Sequence, residues 1–252
     1  MKYFFYDHLE FRYEPFPIGL ARPVMDDGLY NELVDNYPPI ERFRFMPKLG
    51  KKYTLSERFN KADYDAVIQT NPVWKDFHGW IKSDDFIIDV LTALKARNID
   101  LGYDLTQPAR QRLGRLVKDI AGGVISPRSA RLRARFEFSM LPADEGHIKP
   151  HTDSPAKIVT LVISMLRDGE WSPAFGGGTD VNRPRDITRV FNELNEQREF
   201  EDMEVLDTYE FTPNQAVIFI RTFNSWHSVR PMTGTGSSSM RKTLTINIER
   251  RL

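Results

Sequence analysis

The stretch from Arg131 to Met140 alternates strictly: Leu132, Ala134, Phe136, Phe138 and Met140 share one side, while Arg131, Arg133, Arg135, Glu137 and Ser139 share the other. A period of two suits a strand with one buried face and does not suit a helix, whose faces recur about every 3.6 residues. Met240 to Arg250 repeats the pattern, with Leu244, Ile246 and Ile248 opposite Arg241, Thr243, Thr245 and Asn247. Further strands are predicted at Lys157 to Leu166, Glu204 to Phe211 and Gln215 to Arg221. The first half has a different period. From about Asp26 to Gly122 the chain reads helical, with Leu29, Leu33 and Val34 at helical spacing and Ser83-Asp84-Asp85 as an N-cap signal ahead of Phe86, Ile87, Val90, Leu91 and Leu94. Helices followed by a run of strands predict a mainly β, α+β chain: an antiparallel sheet with a helical layer packed on one side.

The 252 residues, 40% of them hydrophobic, suffice for one sizeable core. No Pro-, Gly- or Ser-rich linker interrupts the chain near residue 125, so 1–252 is expected to be a single domain with a mainly helical part over 1–125 and a β core over 130–250. Only Gly234-Thr235-Gly236-Ser237-Ser238-Ser239 reads as flexible. Asp186 to Gln197 places Ile187, Val190, Phe191 and Leu194 on one helical face, so the insertion from Asn182 to Asp202 is expected to dock on the body through them, as a fixed decoration or as a lid.

Composition closes several routes to function. Thirty-five basic and thirty-five acidic residues give no net charge, which disfavours a broad grip on nucleic acid or an anionic membrane. No apolar run approaches the ~18 residues of a membrane span, and the opening Met1-Lys2-Tyr3-Phe4-Phe5 lacks a secretory h-region. Zero cysteines removes disulfides, thiolate metal sites and thiol nucleophiles and suits a cytoplasmic protein. Any metal is left to histidine and carboxylate.

There are five histidines: His8, His78, His147, His151 and His227. In Lys149-Pro150-His151-Thr152-Asp153 an extended backbone would send His151 and Asp153 to the same face. His227 follows in Asn224-Ser225-Trp226-His227-Ser228-Val229. Two imidazoles and one carboxylate are the facial set that binds iron and leaves positions open for cosubstrate and oxygen. The same Pro150–Asp153 residues also suit a surface turn capped by the Asp. What favours a site is Arg241, fourteen residues beyond His227 and on one face with Thr243 and Thr245. A guanidinium offers a planar fork that grips a carboxylate, and a neighbouring hydroxyl completes the cradle. Lys242 could compete, but parity sends it to the apolar face.

His151-x-Asp153, distal His227 and Arg241-x-Thr243 together resemble the iron(II)- and 2-oxoglutarate-dependent dioxygenase superfamily. With Gly176-Gly177-Gly178-Thr179 and Trp226-His227-Ser228-Val229, the phrasing is closest to its prolyl-hydroxylase-like branch. The resemblance is specific over 130–250. It implies a double-stranded β-helix (a distorted jelly roll) with N-terminal helices packed on one sheet. It further implies Fe(II) held by His151, Asp153 and His227, and 2-oxoglutarate held through its distal carboxylate by Arg241 with Thr243 as helper. O2 would be the second cosubstrate, and the expected activity is hydroxylation of an amino-acid, peptidyl or other small-molecule C–H bond. Asp153 stands where a halogenase would carry a small residue. A catalytically silent jelly-roll binding module and an oxygenase acting on nucleic acid are the alternatives. Where prolyl hydroxylases often have a Tyr on the strand before the His-x-Asp pair, this chain reads Arg135-Phe136-Glu137-Phe138-Ser139-Met140, so a second cosubstrate contact is unassigned.

Other residues read more plainly. His147 suits a loop or a supporting role, His8 and His78 suit packing or surface, and Trp226 suits a wall. Gly176-Gly177-Gly178 suits a turn whose backbone passes near the pocket. Arg131, Arg133, Arg135, Arg183 and Arg185 are expected to form a solvated sheet face rather than a basic rim for an anionic substrate.

Overall fold

The computed structural model describes residues 3–103, 117, 121 and 132–250; Arg131 and the stretch around residue 125 lie outside the described residues. The chain runs through β1 (Glu10–Arg12), β2 (Ile18–Ala21), helix α1 (Asp27–Asp35), β3 (Arg44–Met46), β4 (Lys52–Ser56), and helices α2 (Lys61–Thr70), α3 (Pro72–Ile81) and α4 (Asp84–Lys95). Then follow β5 (Leu132–Pro142), β6 (Ile148–His151), β7 (Lys157–Ser164), β8 (Thr179–Pro184), β9 (Met203–Tyr209), β10 (Ala216–Ile220), β11 (His227–Val229) and β12 (Met240–Arg250). One sheet has the order β1-β2-β10-β7-β12-β5-β4-β3, and the other β6-β11-β8-β9. From β5 onward successive strands change sheet, apart from the β8–β9 neighbours. Every pairing is antiparallel. That alternation is the double-stranded β-helix, a distorted jelly roll.

The period-two strands explain the layering. On β5 and β12, Ala134, Phe136, Phe138, Leu244, Ile246 and Ile248 face outward from the barrel and meet the helices in one apolar cluster with Leu33, Trp74, Phe77, Phe86 and Val90. Trp74 stands edge-on to Phe138 at 4.7 Å. Burying such aromatics contributes roughly 1.5–3 kcal/mol each, and truncating Phe138 to Ala would cost about 3–5 kcal/mol. The helices start where their caps say. Asp26 accepts from the amides of Gly28 and Leu29 at α1, and Ser83 accepts from Phe86 N at α4. The opposite face of the same strands is polar and lines the barrel interior.

The N-terminal part carries helices α1 to α4, but β3 and β4 interrupt the run expected to be helical from Asp26, and with β1 and β2 they join the larger sheet. In β4, Lys52-Tyr53-Thr54-Leu55-Ser56 carries β-forming residues and pairs with β5, Tyr53 opposite Met140 and Leu55 opposite Phe138. Asp186 to Gln197, expected to be a helix, is not one. A single 3-10 turn at Ile187–Arg189 gives way to irregular chain, and Ile187, Phe191 and Leu194 are 80%, 75% and 79% exposed rather than docked. Local side-chain bonds outcompete the helix here. Asp186 accepts from Thr188 N, and the Asn192 carboxamide accepts from Glu196 N and donates to Glu196 O. The backbone carbonyls are also tied to buried side chains of the body, with Val190 O accepting from Trp226 Nε1 and Asn192 O from the Thr152 hydroxyl.

Candidate metal centre

β6 and β11 are adjacent, and their register sets His151 directly opposite His227. The two imidazole rings lie 4.3 Å apart, and Phe219 of β10 packs 4.2 Å from His227. Asp153 arrives by a route other than strand alternation. β6 ends at His151, and Asp153 sits in the left-handed region at φ 67. That conformation is costly for most residues and tolerated by Asp, and it turns the carboxylate back toward the two rings. Ligand atoms of His151, Asp153 and His227 lie within 4.8 Å of one another.

Each ring is oriented from behind. Nδ1 of His151 is 2.9 Å from Lys149 O, and Nδ1 of His227 is 2.9 Å from Ser225 O. A carbonyl only accepts, so both Nδ1 atoms carry the proton and both Nε2 lone pairs face inward. Burial lowers the pKa of His151 and takes that of His227 down to about 3, where the neighbouring His151 adds to the effect. Asp153 behaves oppositely. Burial alone would raise it, but the Lys157 ammonium and the two imidazoles outweigh that and hold it well below the usual carboxylate range. Neutral imidazoles and an ionised carboxylate are the protonation states a divalent metal requires, so the donor set fits an iron ion.

Asp153 is steadied by three residues that sequence reading passed over. Lys157 makes an ion pair to Oδ1. Thr160 Oγ1 lies 2.9 Å from Oδ2 and 3.0 Å from the Asn247 carboxamide. A hydroxyl has one proton to give; the carboxylate takes it, and Asn247 serves Thr160 best with its N–H turned inward. Parity on β7 was the available signal, since Thr160 and Val162 interrupt the outward-facing Val159, Leu161 and Ile163.

Arg241 lies at the other end of the same cavity of about 130 Å³, which also holds Thr243, Ser139, Thr179, the two histidines and Asp153. The volume suits a molecule of a few carbons, well under the ~300–1,000 Å³ of drug-sized sites. Arg241 is 5% exposed, donates from Nε to Gly177 O, and lays its guanidinium 4.5 Å over the Phe211 ring. Burial lowers its pKa to about 10, so it stays cationic at neutral pH. The glycine turn is near the pocket as expected. Gly177 sits at φ +86, and a Cβ there would meet Met232 Sδ at 3.0 Å and Arg241 Cδ at 3.3 Å. Lys242 turns away and pairs with Glu170.

The remaining sequence candidates separate cleanly. His147 meets Phe200 edge-on at 5.9 Å and lies outside the cavity. His78 packs against Phe136 and Tyr64. Trp226 is fully buried wall. Arg133, Arg183 and Arg185 are exposed, whereas Arg135 is half-buried at the barrel mouth, where it and Arg133 pair with Glu249, because the polar side of β5 faces inward. Among the described residues no helix is long and apolar enough to cross a membrane.

No protein-family model matches the chain, and no curated protein matches it. Among solved structures, a Pseudomonas putida prolyl-4-hydroxylase is similar at 13% identity and TM-score 0.47, over 93% of this chain and 92% of that one. A Trichoplax adhaerens prolyl hydroxylase in complex with a hypoxia-inducible-factor peptide fragment is similar at 10% identity and TM-score 0.47, over 92% and 83%. The epimerase SnoN of nogalamycin biosynthesis follows at 12% identity and TM-score 0.44, over 92% and 76%.

Proposed function

We propose that this chain is a non-haem iron(II)- and 2-oxoglutarate-dependent oxygenase of the prolyl-hydroxylase-like kind, with residues 1–252 working as one domain. The observation that carries this reading is one small cavity with two neutral imidazoles and a carboxylate at one end and a fixed, buried guanidinium at the other. Fe(II) with 2-oxoglutarate and O2 supplies hydroxylation of a C–H bond, one oxygen atom going to the substrate and the other to succinate, with loss of CO2. The chain supplies position and electrostatics.

His151, Asp153 and His227 would hold the ion, and the rest of the same cavity would be available to cosubstrate and oxygen. Arg241 grips the distal carboxylate of 2-oxoglutarate, held by Gly177 O and the Phe211 ring so that the fork loses little freedom on binding. Thr243, two residues on and on the same face, adds its hydroxyl. Phe219, Val162, Leu141 and Val229 form apolar wall between these ends and limit water. Ser139, Thr179 and Lys52 line the same cavity and are the available second contacts to the cosubstrate.

The substrate is an amino-acid, peptidyl or other small-molecule C–H bond. The test is anaerobic titration with Fe(II) and 2-oxoglutarate, followed by oxygen and assay of succinate. Expected are binding of both, a charge-transfer band on adding 2-oxoglutarate, and succinate release. Binding without any succinate across a substrate panel would leave a silent binding module. Absence of metal binding would overturn the reading.

A further inference from the structure

Beyond the triad the barrel opens into a second cavity of about 780 Å³ that meets the inner one at Lys52 and Lys157. That volume falls within the ~300–1,000 Å³ range of small-molecule sites. Its walls carry six cationic side chains and three carboxylates. The carboxylates are already taken. Glu137 accepts from Lys52 at 2.6 Å and from Ser139 at 3.2 Å, Glu249 accepts from Arg135 at 2.8 Å, and Glu57 pairs with Lys82. A cationic substrate would find every carboxylate of the cavity neutralised.

Two cations are placed differently. Arg58 is exposed at the rim, lies 5.6 Å over the Phe59 ring, and has no ion pair among the described residues. Lys157, 16% exposed, has Asp153 as its partner. A divalent ion in the triad claims that same carboxylate and adds positive charge beside the ammonium. A largely buried cation whose counter-charge is drawn away is costly until another anion arrives.

We infer that the outer cavity is the substrate's and that it takes a small molecule by an anionic group, a carboxylate or a phosphate, seated on Lys157 where the two cavities meet. This role for Lys157 rests on the triad being a metal centre. It makes anion binding dependent on metal, since in the metal-free chain Asp153 fills the place the anion would take. It also sets Lys157 in competition with the metal for Asp153.

The experiment uses the full chain with Mn(II) in place of iron and saturating 2-oxoglutarate. Mn(II) binding is followed by electron paramagnetic resonance and probe binding by calorimetry. The probes are N-acetylglycine against its neutral amide, glycerol 3-phosphate against glycerol, and a single-stranded oligonucleotide. Expected is binding of one of the two small anions, stronger than its neutral analogue and weaker by about tenfold or more in the metal-free chain and in Lys157→Met. Lys157→Met should bind Mn(II) at least as tightly as the parent chain. If Lys157→Met does not fold, Arg58→Ala should still weaken the same anion severalfold, and the comparison with metal-free protein stands on its own. Anions bound no better than neutral analogues by Mn(II)-loaded protein would overturn the inference while leaving the metal reading intact. So would Lys157→Met losing affinity for 2-oxoglutarate but not for the probe, or the oligonucleotide binding while both small anions are ignored. Failure of the parent chain to hold Mn(II) would instead sink the metal reading beneath it.

Discussion

The inner cavity and the barrel mouth are lined by the same two strands, yet they are built on opposite plans. β12 contributes Arg241 and Thr243 to the inner end and Asn247 and Glu249 to the mouth, and β5 contributes Ser139 and Arg135 in the same way. At the inner end Arg241 and the two histidines each have one hydrogen-bonded support, while Asp153 rests on Lys157 and Thr160. Gly177 O holds Arg241, Lys149 O holds His151, and Ser225 O holds His227. At the mouth the supports overlap, with Arg135 reaching both Glu249 and Glu137, and Glu137 taking Lys52 as well. Singly supported groups define one geometry and fail when one is lost, whereas an overlapping network loses members gracefully.

The largest effect is expected at the ligands. Asp153→Ala should abolish metal binding and iron-dependent turnover, because two imidazoles alone leave the geometry open. His78→Ala, placed against Phe136 outside the barrel, should keep both. Iron-dependent activity at the parent level in Asp153→Ala would refute the assignment. Next comes Arg241→Ala, which should raise the 2-oxoglutarate requirement about 100-fold while metal affinity holds, since a charge-assisted bidentate contact is removed. Arg241→Lys should recover only part of the loss, and a larger effect from Lys242→Ala would show that β12 has been placed one residue out of register.

The legible parts of this chain were those in which a single physical period sets the outcome. β12 was readable, because Thr243 to Glu249 alternate polar and apolar without a break and all of them but Thr245 are buried. That parity also separated Arg241 from Lys242. The triad was readable as residue types, but the reason for its convergence was not: alternation along a strand ends at His151, and a left-handed Asp153 does the rest. Lys157, Thr160 and Asn247 were invisible as a group because they meet only across β7 and β12, which pair Thr160 with Asn247. The segment after Asp186 failed for a related reason. Its apolar residues recur at helical spacing, but Asp186, Asn192 and Asn195 offer the backbone local bonds or a left-handed turn, and periodicity does not weigh those.

Thr160→Val probes the seam between the two regions, since Thr160 lies on Asp153 and on Asn247 together. Outer-shell partners of metal ligands are worth about 10–100-fold in affinity. Metal titration of Thr160→Val should fall in that range, below the effect of Asp153→Ala, with 2-oxoglutarate affinity in the loaded protein little changed. An unaltered metal affinity would mean that the Thr160 hydroxyl adds nothing to the placement of the carboxylate.

The smallest functional effect is expected at the mouth, from Glu137→Gln, and there the change should appear in stability instead. Burial by itself would raise the Glu137 carboxyl, but Lys52 and then Arg135 overcome it and bring the pKa down to about 2 from an ordinary 4.5. A carboxylate whose folded pKa is depressed adds stability that is fully present above the unfolded value and is lost as pH falls through the folded one. The window is therefore about pH 4.5 down to 2, and the pH-dependent part is on the order of 2–3 kcal/mol for so buried a group. Urea unfolding of the two proteins at pH 7, 5, 4 and 3 isolates it, because His78, with its pKa lowered to about 4 by burial, titrates alike in both and cancels in the difference. The gap between parent and Glu137→Gln should be constant from pH 7 to 5 and narrow steadily below pH 4.5, while metal affinity stays level. A gap that holds to pH 3 would show that Lys52 and Arg135 add nothing through the charge of Glu137. The overlapping ion pairs of the mouth would then be packing alone, and the contrast with the singly supported inner end would lose its electrostatic basis.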